Sequence, residues 1–151
     1  DGVSFGSDGG LRIETEIARH PQDRKRMAVT QSGGRNAVTH FEVRERFGPV
    51  GKPFAGLLQC QLETGRTHQI RVHAAHIGHA LVGDAVYSRP RQIAKSDADE
   101  PTRTALQHFP RQALHAETLG FKHPISGDFV HFSAKMPPDM NDLLTTLRRN
   151  G

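Results

Sequence analysis

The sequence predicts an α+β domain, a set of antiparallel strands with two helices. Several short stretches between residues 11 and 62 alternate apolar with polar side chains, the period of a half-buried strand. Turn residues such as Gly33-Gly34 and the run His123-Pro-Ile-Ser-Gly127 separate neighbouring stretches. Only two segments, one central and one at the C-terminal end, carry a helical apolar stripe.

The glycine-rich opening, 1–10, reads as a loose N-terminal segment, and 11–151 as the folded body. Leu11 to Ile17 places Leu11, Ile13, Thr15 and Ile17 on one face of a strand. Arg19 to Arg26 is a charged loop, and Met27 to Thr30 a short strand before the Gly33-Gly34 turn. Ala37 to Phe47 reads as a half-exposed antiparallel strand. Leu57 to Leu62 follows, with Leu58, Cys60 and Leu62 sharing a face. A helix is expected from about Thr67 to Ile77, with Thr64 or Thr67 as N-cap and Gly78 as its stop. Arg89 to Pro110 is polar and reads as a surface loop. Gln112 to Phe121 and Phe129 to Ala134 form a strand pair. Pro137-Pro138 then opens a last helix through Arg149, striped by Met140, Leu143, Leu144 and Leu147.

A chain of 151 residues without internal repeats is the size of one domain with a sizeable core. Its single cysteine excludes an intramolecular disulfide and suits a reducing cytoplasm. No apolar run approaches the length of a membrane span. A net charge of +4 favours a polyanionic partner over a cationic one.

Chemistry concentrates in Leu62-Glu-Thr-Gly-Arg66-Thr-His68-Gln-Ile-Arg71-Val-His73-Ala-Ala-His76-Ile-Gly78-His79-Ala-Leu81-Val82-Gly83-Asp84-Ala-Val-Tyr87. On a helix Ile70, Ala74 and Ile77 make the core stripe, and Val72 falls opposite, so much of the circumference is covered. Arg71 lies between, flanked by Ala74, Ala75 and Gly78. An arginine so placed is costly to desolvate unless it meets an anion in good geometry. Asp84 could supply one, but reads more simply as a turn carboxylate capping backbone N–H groups. Leu81 and Val82 read as core or as the apolar wall of a pocket.

Four histidines invite a metal reading. The spacing of His73, His76 and His79 fans the rings around the helix, and no cysteine or paired carboxylate completes a tetrahedral set. No metal site is expected. Arg24-Lys25-Arg26 is the densest basic cluster, either a solvated loop or a phosphate-contacting one. Arg66 reads equally as a phosphate contact or a solvated cation at a helix start. Cys60 reads as core rather than nucleophile.

The central run resembles, nearly residue for residue, the third conserved motif of the RluA/RluD-type ribosomal RNA pseudouridine synthases. The resemblance extends through Ile17-Ala-Arg-His-Pro, Arg26-Met-Ala-Val, Ala37-Val-Thr-His-Phe, Arg111-Gln-Ala-Leu-His115-Ala and His123-Pro-Ile-Ser-Gly127. It implies the C-terminal half of a catalytic domain whose fold is a long bent, mainly antiparallel sheet with flanking helices. It also implies isomerisation of specific uridines in large-subunit rRNA stem-loops, without metal or redox cofactor. Arg71 would be the ion-pair partner of the family's attacking aspartate, and Arg66, His68, Arg24, Lys25 and Arg26 would contact RNA. That aspartate belongs to an Arg-Leu-Asp motif, which does not occur in these residues. Two expectations follow. The chain lacks its N-terminal partner half, is inactive alone and self-associates through an open sheet edge. Alternatively, it is a non-catalytic RNA-binding pseudoenzyme.

Overall fold

The structure is a computed structural model that describes residues 3–5, 10–88 and 98–149. Its main body is a five-stranded antiparallel sheet: β1 (Val3–Phe5), β2 (Leu11–Arg19), β3 (Met27–Thr30), β4 (Arg35–Phe47) and β5 (Ala55–Leu62). The order is β1-β2-β4-β5, with β3 also pairing β2. Among the described residues three helices follow the sheet: α1 (Gln69–His76), α2 (Glu100–Gln107) and α3 (Pro138–Arg148). Strands β6 (Thr118–Lys122) and β7 (Phe129–Ser133) form a separate hairpin between α2 and α3. The architecture is α+β, as the alternation predicted.

The alternation of β2 and β4 has a direct consequence in space. Ile13 and Ile17 are buried on β2, and Ala37, Thr39 and Phe41 are buried on β4. The register sets Ile13 opposite Thr39 and Thr15 opposite Ala37. Helix α1 lies across this face. Ala74 joins Ile13 and Phe41, with Ile70 and Ile77 packed beside them. Val72 joins a second cluster with Ile17, Ala37 and Tyr87. The helix is therefore covered on two sides, because its stripe and Val72 meet different parts of one sheet.

A third cluster at the far end of β4 joins Phe47 to Leu106 of α2 and to Leu143, Leu144 and Leu147 of α3. Arg111 clamps this end with a two-point ion pair to Asp139, both contacts 2.8 Å, and donates to the carbonyls of Gln112 and Leu114.

Several expectations change. Val3–Phe5 is a strand on β2 rather than part of a loose opening; 1–2 and 6–9 lie outside the described residues. The polar stretch read as a loop contains α2. Asp99 caps this helix by accepting the Thr102 N–H at 2.9 Å, proline sits in its first turn, and Leu106 is buried. Its 89–97 portion lies outside the described residues. The hairpin is shorter than expected, since 111–117 carry no strand. Leu119, Phe121, Phe129 and Phe132 on it are exposed, with Phe121 and Phe132 stacked at 6.1 Å.

Candidate functional site: a polar hub on the motif helix

Helix α1 begins without the expected threonine cap. The N-cap position is His68, in a left-handed conformation (φ 57°) and with no side-chain cap. Thr64 serves elsewhere: its hydroxyl accepts the Val38 N–H at 2.9 Å and donates to Gln69 Oε1 at 2.8 Å. Gln69 is the fastening point. Its Oε1 also accepts the Arg66 N–H at 2.9 Å, while Nε2 donates to the Val38 carbonyl and Thr39 Oγ1. One buried amide thus ties the turn, the helix start and the centre of β4 together.

His73, one helical turn on, is completely buried. Its ring nitrogens meet Thr39 Oγ1 at 2.8 Å and Thr15 Oγ1 at 2.9 Å. Burial, reinforced by the nearby His76, pushes its pKa down to about 4, so it is neutral at ordinary pH. The glycine stop holds as expected: Gly78 has φ +83°, and its N–H and that of His79 close on the Ala75 and Ala74 carbonyls.

The chain then turns through Gly83, whose φ of +70° and closeness to the Arg111 carbonyl leave no room for a side chain. This turn delivers Asp84, which is fully buried. Asp84 performs both of the roles that the sequence left open. Its Oδ1 accepts the Val86 and Tyr87 N–H groups, and its two oxygens take Arg71 Nε and Nη2 at 2.8 Å each. Desolvation works to raise the Asp84 pKa. Hydrogen bonds from Arg71 and the two backbone N–H groups, with the arginine's charge, outweigh it and hold the carboxyl below its usual range. Arg71 therefore has a carboxylate partner within this chain. Its side chain is only 12% exposed, and Nη1 has no partner among the described residues.

Tyr87 is the second convergence point. The guanidinium carbons of Arg71 and Arg26 lie 5.0 and 5.3 Å from its ring centroid, and the His68 ring meets it edge-on at 5.8 Å. Arg71, His68 and Arg26 are thus brought together around one ring. Arg66 is not among them; its Nε donates to the Asn36 carbonyl at 2.9 Å. Arg24 and Lys25 are exposed on the loop. Leu81 and Val82 are half-buried and split between two clusters, Leu81 beside Ile13 and Val82 beside Phe47. Gln69, His73, Asp84 and Tyr87 carry most of the site's hydrogen bonding; of these the sequence points only to Asp84, as a possible partner for Arg71. The available signal was the i, i+4 placement of Gln69 and His73, which puts two buried polar side chains on one face of the helix.

The family model for RNA pseudouridylate synthase matches residues 8–76, which end on α1. The chain is 47% identical over 141 residues to the ribosomal large subunit pseudouridine synthase D of Xanthomonas campestris, covering 93% of this chain and 40% of that protein. It is 48% identical over 139 residues to the uncharacterized RNA pseudouridine synthase YlyB of Bacillus subtilis, covering 92% and 39%. A synthase D from Neisseria meningitidis serogroup A is 45% identical over 137 residues, covering 91% and 34%. The chain thus spans at most 40% of the length of these relatives. The solved human RNA pseudouridylate synthase domain containing 1 shares the fold, with a TM-score of 0.63 at 22% identity over 97% of this chain and 62% of that one. A shared fold, and sequence identity of this order over nine tenths of its residues, make this chain a member of the RluD-type pseudouridine synthase family.

Proposed function

We propose that this chain provides the arginine-bearing part of an enzyme that isomerises uridines in large-subunit rRNA, with the attacking aspartate supplied by a segment outside these residues. The reaction breaks the N1–C1′ bond of a uridine, turns the base and rejoins it through C5, which then loses its proton. The target base must leave its stack to be reached.

The observation that carries the reading is the mounting of Arg71. Asp84 takes the Nε and Nη2 edge, which fixes the guanidinium plane and, among the described residues, leaves Nη1 and the second Nη2 hydrogen for another carboxylate. An arginine aimed in this way keeps an incoming aspartate ionised and oriented. Arg24, Lys25, Arg26, Arg66 and His68 would contact RNA, and Leu81 and Val82 would back the base pocket. The exposed apolar β6–β7 hairpin supports docking of the remaining catalytic segment on that face.

Tritium release from rRNA labelled at uridine C5 tests the reading. The chain alone should release none, and a longer protein carrying Arg-Leu-Asp should release it in an Arg71-dependent way. Turnover by the chain alone would overturn the supplied-aspartate reading. RNA binding without turnover in the longer protein would favour a pseudoenzyme.

A further inference from the structure

We propose that Arg26 and His68, mounted on Tyr87, form a phosphate-recognition site in which His68 acts as a neutral imidazole donating from Nε2, and that its ligand is a backbone phosphodiester of RNA. The proposal deepens the rRNA reading and rests on it for the source of the phosphate.

The hydrogen-bond count at Tyr87 fixes the tautomer. Tyr87 is 7% exposed, and its hydroxyl oxygen accepts the Met27 N–H at 2.7 Å. A phenol has one hydrogen to give, and among the described residues its acceptor is His68 Nδ1, 3.1 Å away. If Nδ1 carried the proton, this hydroxyl hydrogen would have no partner among the described residues. Nδ1 is therefore bare, and the neutral ring carries its hydrogen on Nε2, a position with no partner among the described residues. The charged groups facing His68 agree with this assignment. Desolvation and the Arg71 charge both disfavour the imidazolium, and only Asp84, already committed to Arg71, opposes them. His68 is also the one non-glycine residue of positive φ among the described residues, a conformation that the packing around it must maintain.

Arg26 supplies the charge. Its guanidinium lies over the same ring, its Nε is buried without a hydrogen-bond partner, and no carboxylate pairs with it among the described residues. Both oxygens of Asp84 are taken. The surroundings of Tyr87 thus offer N–H donors and a net positive charge. The non-bridging oxygens of a phosphodiester are the matching chemistry.

The test uses the full chain labelled with 15N. His68 should show a pyridine-type Nδ1 and a protonated Nε2 at neutral pH, and its titration should lie below that of a free histidine. Inorganic phosphate should shift the His68 Nε2 and Arg26 Nε signals together. Arg26→Gln should abolish that response, weaken binding of an oligouridylate about tenfold and lower the log–log salt slope by about one. A proton on Nδ1, titration like a free histidine, or phosphate leaving both signals unmoved while the oligouridylate still binds would overturn the site and leave the RNA reading intact. Phosphate binding with the expected signature, but no oligouridylate binding, would overturn the RNA assignment and count against the rRNA reading itself.

Discussion

Acidification should destabilise this protein well before its carboxylates titrate, and the buried His73 is the reason. In the unfolded chain a histidine titrates near 6.5, whereas in the fold His73 is held at about 4 by burial and by His76. Below its ordinary pKa the unfolded chain takes up a proton here that the folded chain refuses, so stability falls with pH across the interval between the two values. Linkage over the range from about pH 7 to about pH 5 gives a loss of about 2 kcal/mol from this residue alone. For a domain of this size that corresponds to a melting-temperature drop of roughly 4–8 °C. The assay is urea unfolding followed by circular dichroism at a series of pH values, beside His73→Gln. The variant loses the titrating ring and should be less stable at neutral pH, but about 2 kcal/mol of its pH dependence should vanish. His68, displaced in the same direction, is present in both proteins and cancels from the comparison. Stability that is flat across this interval, or an equal slope in the variant, would refute the reasoning.

Three further outcomes follow from the same geometry. Asp84→Asn turns an amide toward Arg71 while leaving an oxygen for Val86 and Tyr87. It should cost about 3 kcal/mol in urea unfolding, since it strands a largely buried guanidinium. In the unaltered protein the Asp84 contribution is complete above about pH 3.9 and disappears as pH falls through its lowered folded pKa, which acid titration of the unfolding midpoint would show. Gln69→Leu leaves the Val38 carbonyl, two threonine hydroxyls and the Arg66 N–H short of partners. It should destabilise by about 2–4 kcal/mol and speed amide exchange at Arg66, and unchanged exchange there would count against Gln69 as the fastening point. Burial pushes the Cys60 thiol up to about 11. A thiol reagent at neutral pH should therefore react with the folded protein far more slowly than with the urea-unfolded chain, and equal rates would contradict the burial.

The strands β2, β3 and β4 and the last helix were legible because each rests on a local period. Ile13, Thr15 and Ile17 repeat every second residue, and Met140, Leu143, Leu144 and Leu147 repeat at helical spacing. Helix α2 was hidden because its single turn-to-turn apolar anchor, Leu106, sits in a polar stretch. Its evidence was a cap, Asp99, followed by Pro101, which resembles loop punctuation until the packing against α3 is seen.

The antiparallel α+β plan, the helix stop at Gly78, the need of Arg71 for an anion and the family to which the chain belongs are all legible in the amino-acid order. Each is written in neighbouring residues, as a period, a turn signal or a motif. The folded arrangement alone sets which anion Arg71 meets, that His73 stands over Thr15 and Thr39, and that Arg26, His68 and Arg71 share the ring of Tyr87. These contacts join residues 13 to 61 positions apart. No local preference encodes such pairings; they are set when burial of Ile13, Phe41, Val72 and Ala74 presses α1 onto the sheet and leaves each trapped polar group to find its partner there.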